Sequence, residues 1–198
     1  MAKIGWGRIL AGVATVAAAG AAIVYLRQRS AKAPGYDLLL SDGAVEIRRY
    51  PAVLVIETDQ PGSRDRALGT GFGVLAAYMF GEGREGEEIP IAMPVLARLL
   101  GDGRWRIRFP LPDGLDRSKL DPPGPDIAIR EIPAREVAVI TAPGKPTDRL
   151  FAARAGELQR WIAARGRMAA GGVEHAYHTS PLGPDIVRPN EVVIPLNP

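Results

Sequence analysis

The stretch VEIRRYPAVLV (45–55) decides the fold, because the chain repeats the same pattern 82 positions later as IAIREIPAREV (127–137). In both copies apolar and polar residues alternate, which is typical of a strand with one face turned to a core. In both copies a proline, Pro51 or Pro133, then interrupts the strand. Proline cannot donate a ladder hydrogen bond, so each one predicts a bulge or a strand edge. The chain therefore contains one unusual strand twice.

The repeat continues beyond these strands. After each proline come a second apolar run, a Pro-Gly turn and apolar residues spaced by four, three and four positions, which place them on one helix face. These residues are Leu68, Phe72, Leu75 and Met79 in the first copy, and Phe151, Ala155, Leu158 and Ile162 in the second. The helices should end at Gly81 and Gly166. Further on, WRIRFPLP (105–112) corresponds to NEVVIPLN (190–197).

Offsets of 82 to 85 positions predict one duplicated unit: strand, proline break, strand, helix and two more strands. We place the repeats at about 36–120 and 126–198, joined by DPPGP (121–125). One unit of roughly 80 residues makes a thin core, so the two units should pack together. The predicted fold class is α+β: a distorted antiparallel β-barrel, closed or nearly closed, made of two pseudo-symmetric β-β-α-β-β repeats with two packed helices.

Residues 1–30 are predicted to form an N-terminal membrane anchor. The run 9–26 has 18 residues without a charge, which is the lower limit for a transmembrane helix across a core of ~30 Å. Trp6 and Tyr25 lie near its ends, where aromatic rings favour the membrane interface. The alternatives are a signal segment that is cleaved, which would make the protein secreted, and a buried soluble helix. Residues 31–35 read as a linker to the domain at 36–198.

The charge is distributed unevenly. The first 32 residues contain five Lys or Arg and no acidic residue, so they carry +5, and the chain's net +3 leaves −2 for the rest. That remainder gives no electrostatic footprint for nucleic acid. Basic residues flank both ends of 9–26, so charge bias leaves the orientation open. We expect a bacterial-type inner membrane, with the periplasmic side favoured, and the oligomeric state stays open.

The residues that could ligate a metal are few. The chain has no cysteine, which excludes disulfides and Cys-ligated metal centres. Its two histidines, His175 and His178, lie three apart and should point to opposite faces of a strand, so they cannot share one metal. We expect no metal site, and His178 is the candidate for an axial ligand if one exists. Met79 lies on an apolar helix face, where packing is favoured over ligation.

The sequence contains no catalytic motif. A nucleophile elbow, an H-E-x-x-H pair and a P-loop are all absent. Glutamates on the predicted strands (Glu46, Glu57, Glu131 and Glu136) are expected on the solvated face of the sheet. We therefore expect a binding protein and not an enzyme.

Five stretches resemble the SOUL haem-binding protein family. They are YDLLLSDGAVEIRRYP (36–51), AAYMFGEG (76–83), IPIAMPV (89–95), REIPAREVAVI (130–140) and RPNEVVIPL (188–196), of which the last is the most specific. The resemblance covers about residues 35–198. It implies a distorted β-barrel with two helices, related to the small-molecule-binding domains of some multidrug-responsive regulators. It also implies non-covalent binding of haem or another porphyrin in an apolar cleft.

The family's cleft transfers to this chain in its apolar part. The matching positions are Phe72, Leu75, Ala76 and Met79 on the first helix, and Pro181 and Leu182 in a late loop. The polar positions do not transfer. Arg49 stands where an axial histidine is proposed in one member, and an arginine stays protonated. Gly69, Ala77 and Gly183 stand where another member has basic residues for the haem propionates.

The resemblance, together with the predicted anchor at 9–26, implies a membrane-anchored haem- or tetrapyrrole-binding protein that binds reversibly without a strong axial ligand, as a carrier or buffer would. Three alternatives stay open: a binding module for another hydrophobic small molecule, an enzyme that modifies tetrapyrroles, and a protein-interaction scaffold at the membrane.

Overall fold

The computed structural model describes residues 34–82, 86–115, 117–178 and 189–197. They form nine strands and two helices, with one short 3-10 turn at Arg117–Lys119. In chain order the elements are β1 (Asp37–Asp42), β2 (Val45–Tyr50), β3 (Val53–Gln60), α1 (Arg64–Met79), β4 (Val95–Leu99), β5 (Trp105–Pro110), β6 (Ala128–Ile132), β7 (Arg135–Ala142), α2 (Asp148–Ala164), β8 (Glu174–Tyr177) and β9 (Asn190–Pro195).

The predicted duplication is confirmed. One repeat runs β2-β3-α1-β4-β5 and the other runs β6-β7-α2-β8-β9, while β1 precedes both. All strands lie in one antiparallel sheet in the order β1-β2-β7-β9-β8-β4-β5-β3-β6. Without β1, this order is symmetric about the β4–β8 pair. The repeats are also intertwined, because β2 pairs with β7 and β6 pairs with β3, so each first strand pairs with the second strand of the other repeat.

The two proline breaks lie side by side. Throughout the β2–β7 and β3–β6 pairs, residue i faces residue 185−i, as Val45 faces Ile140 and Val53 faces Ile132. The same register therefore holds on both sides of the breaks. Pro51 and Pro133 lie between paired strands and are exposed. No ladder hydrogen bond needs an amide hydrogen at these two positions, so a proline is tolerated there. At each proline the chain passes from one strand partner to the next.

The prediction of a closed or nearly closed barrel is wrong. Among the described strands, β1 pairs with β2 alone and β6 pairs with β3 alone, so the sheet is open with these two strands at its edges. Alternation specifies which side chains face the core, but it does not specify whether two distant edges meet. The predicted anchor at 9–26 lies outside the described residues, and within them no helix has the length and apolar content to cross a membrane.

Both helices pack on the same face of the sheet and form the main core there. The predicted face of α1 is buried at all four positions, whereas in α2 Ala155 is only half-buried. The helices end as predicted, with Gly81 and Gly166 at positive φ of 86° and 65°. Glycine carries no steric cost in that conformation.

Arg64 joins the beginnings of the two helices. Its buried guanidinium donates hydrogen bonds to Asp148 Oδ1 at 2.6 Å, to the Pro146 carbonyl at 2.5 Å and to the Tyr177 hydroxyl at 2.9 Å. Charge-assisted bonds of this kind are stronger than neutral ones. A residue of the first repeat therefore fixes α2 and β8 of the second.

Gly71 allows α1 to lie close to β5. A Cβ atom at this position would come within 2.6 Å of Ile107 Cγ1 and 3.3 Å of Gln60 Cγ. We predict that Gly71→Ala lowers the free energy of unfolding by about 1–3 kcal/mol, because the core is overpacked. Urea denaturation measures this. Gly73→Ala is the matched control: nothing lies within 4 Å of its Cβ, so it should gain about 0.5–1 kcal/mol. Equal stability of the two variants would contradict the close approach.

Candidate functional site

The sheet face opposite the helices carries a buried ion-pair cluster. Arg48 on β2 and Glu191 on β9 are only 6% and 7% exposed. The two terminal nitrogens of Arg48 donate to the two oxygens of Glu191 at 3.1 and 2.8 Å. Arg48 Nε also donates to Glu46 at 2.6 Å, and the guanidinium lies 4.5 Å from the centre of the Tyr36 ring. This bidentate pair connects β2 to β9 across the intervening strand β7.

A second cluster on the same face surrounds Glu174, which is 1% exposed. Arg135 donates to it at 2.7 Å and Arg108 at 3.3 Å, and Arg108 also donates to Glu57 at 2.7 Å. The prediction of a solvated face is therefore wrong for Glu57, which is 6% exposed. Its neighbours on β5 and β6 cover it and supply its cations. Of the other predicted glutamates, Glu131 is exposed, and Glu46 and Glu136 are half-buried.

An apolar pocket lies between the two clusters. Its volume is about 60 Å³, and two charged residues, Arg135 and Glu191, belong to its wall. The remaining lining is Tyr50, Pro51, Val53, Val55, Pro94, Leu96, Pro110, Ile132, Ala176 and Val193. Leu96 faces Ala176 across the central β4–β8 pair. Tyr50 and Ile132 are equivalent positions of the two repeats, 82 positions apart, and so are Val53 and Arg135. The pocket therefore lies on the pseudo-twofold axis that relates the repeats, and we call it the axis pocket.

The charges on the pocket wall are fixed at neutral pH. Burial would raise the pKa of Glu191, but hydrogen bonds from His178 and Arg48 outweigh burial and hold that pKa at about 2. Burial raises the pKa of Tyr50, and the hydrogen bond from Arg48 opposes this only in part. Glu191 is therefore an anion and Tyr50 a neutral phenol. The pocket combines an apolar interior with one carboxylate and one guanidinium.

The two histidines lie on opposite faces, as predicted. His175 faces the helices and stacks on Phe151, with ring centres 4.1 Å apart and planes at 7°. Its Nδ1 is buried and has no hydrogen-bond partner within the described residues. His178 faces the other way, and its Nε2 lies 2.8 Å from Glu191 Oε2. The Nε2 atom of His178 is thus paired with a buried carboxylate.

Comparisons with known proteins agree with this architecture. The profile of the family described as SOUL heme-binding protein matches residues 31–195. The chain belongs to the SOUL family. No curated protein sequence matches the chain at a significant level.

Solved structures share the SOUL fold of this chain at low sequence identity. The EcmrR C-terminal domain aligns with a TM-score of 0.60 and 11% identity, over 82% of this chain and 98% of that one. A hydrolase from Listeria innocua aligns with a TM-score of 0.51 and 12% identity, over 80% and 94% of the two chains. At these identities the similarity shows the fold alone.

The cleft residues implied by the SOUL resemblance divide into two groups. On α1, Phe72, Leu75, Ala76 and Met79 are all buried against the sheet, and Phe72 contacts the ring of Phe109 with centres 5.0 Å apart. Pro181 and Leu182 lie outside the described residues. The structure thus brings the four helix residues together in the core, and the cleft between α1 and the late loop stays a prediction.

The polar departures from the SOUL pattern are partly visible. The side chain of Arg49 is 55% exposed and pairs with Glu136 at 2.8 Å, far from any role as an axial ligand. Gly69 and Ala77 are half-buried on α1, while Gly183 lies outside the described residues. The chain therefore lacks a charged side chain at both helix positions where one SOUL member has basic residues.

Sequence reasoning missed the buried charges around the axis pocket. Arg48 belongs to the repeated strand, and Glu191 belongs to RPNEVVIPL, the most specific SOUL stretch. A signal was present in the sequence, because Arg48, Glu57, Arg108, Glu174 and Glu191 all alternate with core residues on their strands. Acidic and basic residues that share one sheet face indicate pairing across strands.

Proposed function

We propose that the protein binds haem or another tetrapyrrole reversibly and without a covalent bond, as a carrier or buffer. The site would be the apolar cleft predicted between α1, with Phe72, Leu75, Ala76 and Met79, and the loop with Pro181 and Leu182. Because the four helix side chains are buried against the sheet, α1 would have to shift for a macrocycle to contact them. Membership of the SOUL heme-binding family over residues 31–195 carries this proposal. No catalytic step is assigned.

The histidine environments support a mode without a strong axial ligand. His178 is held by Glu191, and His175 is stacked on Phe151. Contact with the faces of a macrocycle could supply several kcal/mol at ~25 cal/mol per Å² of buried apolar area. The loss of translational and side-chain freedom offsets much of that gain. The expected consequence is modest affinity with little discrimination among porphyrins.

We further propose that residues 9–26 anchor the domain in a bacterial-type inner membrane. The 18 uncharged residues and the basic flanks support this placement. The domain would then stand next to the bilayer, with the periplasmic side favoured, where a hydrophobic pigment partitions.

A second candidate function is the binding of a smaller hydrophobic molecule in the axis pocket. The volume of about 60 Å³ is well below the roughly 300 Å³ or more of usual ligand pockets, so a macrocycle would not enter without widening. The apolar lining suits a small apolar body, and Glu191 and Arg135 could orient a polar end of it.

Titration of haemin into the purified protein tests the main proposal. We predict a saturable Soret shift below about 50 μM. Leu182→Glu should weaken haemin binding about tenfold, because a leucine contact of ~1.5 kcal/mol is lost. Leu99→Glu, at an exposed leucine of β4, is the matched control and should leave the affinity unchanged.

The same titration separates the candidates. His178→Ala should leave the position of the Soret band unchanged, and a displaced band would contradict binding without a histidine ligand. Absence of any saturable shift would overturn haem binding. Leu96→Trp, which fills the axis pocket, should leave haemin binding intact; if it abolished the shift, the macrocycle would occupy the axis pocket instead of the α1 cleft.

A further inference from the structure

The outer edge of the sheet at β1 is apolar and exposed. We call Tyr36, Leu38, Leu39 and Leu40 the β1 patch; their exposed fractions are 45%, 54%, 40% and 42%. These are four of the six large hydrophobic residues that are exposed in the described part of the chain. Edge strands in water usually carry charges or prolines that prevent association. Three consecutive exposed leucines between Asp37 and Asp42 therefore indicate contact with another apolar phase.

The β1 patch is held firmly at both ends. At its start the Tyr36 ring packs on Tyr50, with centres 5.2 Å apart, and the Arg48 guanidinium lies over the same ring. At its end Asp42 accepts hydrogen bonds from Trp161 Nε1 at 2.9 Å and from Arg165. The strand also pairs with β2 along its length. The exposure of its leucines is therefore a property of the folded strand and not of a frayed terminus.

The leucines are apolar on both sides of the edge. Leu38 faces Arg48 and Leu40 faces Ile47, and the register shifts between them. Arg48 lies on the helix-free face and Ile47 in the helix-side core. One leucine thus belongs to each face, and Leu39 lies at the shift. Because its leucines lie on both faces, β1 would contact a covering surface through its outer edge and not through one face of the sheet.

The position of the β1 patch in the chain identifies what covers it. Ten positions separate Leu26, the last residue of the apolar run, from Tyr36. Such a segment spans at most ~35 Å when fully extended. Three basic residues, Arg27, Arg29 and Lys32, lie within it, and each adds attraction to an anionic lipid surface. A chain anchored by residues 9–26 would therefore keep the β1 patch close to the bilayer.

We infer that the β1 patch rests in the headgroup region of the bilayer, so that the sheet edge is a second membrane contact beside the anchor. This inference rests on the proposed anchor. Leucine and tyrosine side chains suit that depth, because apolar groups reach the acyl boundary and the tyrosine hydroxyl stays hydrated. The sheet would then stand on its β1 edge.

A second copy of the chain fits the β1 patch less well. Central antiparallel pairing of two β1 strands would set Asp37 opposite Asp42 of the copy, twice in each pair. Like charges that face each other across strands are destabilising. The register shift between Leu38 and Leu40 also interrupts the regular edge that strand addition needs.

Single labelled cysteines test the inference in the full chain, which has no cysteine of its own. Leu39→Cys carries an environment-sensitive fluorophore in the β1 patch, and Leu38→Cys repeats the test if the first variant folds poorly. Leu99→Cys is the matched control, an exposed leucine five strands away in the sheet. Each protein is reconstituted in phosphatidylcholine–phosphatidylglycerol vesicles, floated, and quenched either by nitroxide lipids or by aqueous iodide.

We expect the label at position 39 to be quenched by nitroxide lipids and to be severalfold less accessible to iodide than the label at position 99. Flotation with full iodide access at position 39 would overturn the contact and leave the anchor intact. If the protein does not float with the vesicles, both the lipid contact of the β1 patch and the proposed anchor are wrong. Protection from iodide without nitroxide quenching, or a disulfide-linked dimer formed by the unlabelled Leu39→Cys protein, shows that protein covers the β1 patch and overturns the lipid contact.

Discussion

Glu191→Ala is expected to lower the free energy of unfolding by about 3–5 kcal/mol, because it leaves a buried guanidinium without its main partner. Arg48 is 6% exposed and makes two hydrogen bonds to Glu191. His178 loses its carboxylate partner in the same variant. Urea denaturation near neutral pH measures the loss, with the slope of the transition as a check on two-state behaviour.

Two variants show whether the loss comes from the unpaired charge. Glu46→Ala removes the other carboxylate that pairs with Arg48. Because the side chain of Glu46 is 31% exposed, this variant should lose no more than about 1 kcal/mol of stability. The double variant Arg48→Met, Glu191→Leu removes both charges and should recover most of the stability, since apolar replacement of a buried pair is often neutral. A double variant as unstable as Glu191→Ala would show that packing, and not charge, causes the loss.

His175→Phe is expected to make the fold more resistant to acid between pH 6.5 and about pH 4. Burial, and after it the positive charge of Arg64, lower the pKa of His175 from 6.5 to about 4, while Asp148 opposes the shift. Between these values the unfolded chain binds a proton that the folded chain refuses, so stability falls as the pH falls. The difference reaches about 3 kcal/mol. Phenylalanine keeps the stack on Phe151 and has no such proton to bind.

Denaturation at several values from about pH 7.5 to about pH 4.5 measures this slope. Glu191 acts mainly at lower pH, because its pKa falls from 4.5 to about 2 in the folded protein. His175→Gln is the control, because glutamine is also neutral but lacks the ring. It should be less stable than His175→Phe at every pH, and its stability should depend equally little on pH. The explanation is wrong if His175→Phe unfolds with the wild-type dependence on pH.

Much of the fold could be predicted from local patterns. The duplicated unit of two strands, a helix and two more strands predicts ten elements, and all ten occur in the structure in that order. The exchange of β2 and β6 between repeats and the open edges could not be predicted, because strand partners are chosen by long-range packing. The added strand β1 also lies outside the repeated unit.

The candidate site could be predicted less completely. Apolar spacing correctly predicts that Phe72, Leu75 and Met79 share a buried face. The alternation of side chains along a strand, which we call parity, correctly places His175 and His178 on opposite faces. Parity also assigns Arg48 and Glu57 to the face away from the helices. It does not tell whether that face meets water or neighbouring side chains, because this depends on strands that are distant in sequence.

The exchange of first strands makes the two halves depend on each other. A polypeptide with a single repeat would leave its first strand without the partner β7, and its second strand would pair with β5 but lack β6. A second molecule of the same half would satisfy both at once and would create the axis pocket at the junction. The present chain has the topology of such a strand-swapped pair, with the two repeats joined through residues 121–125.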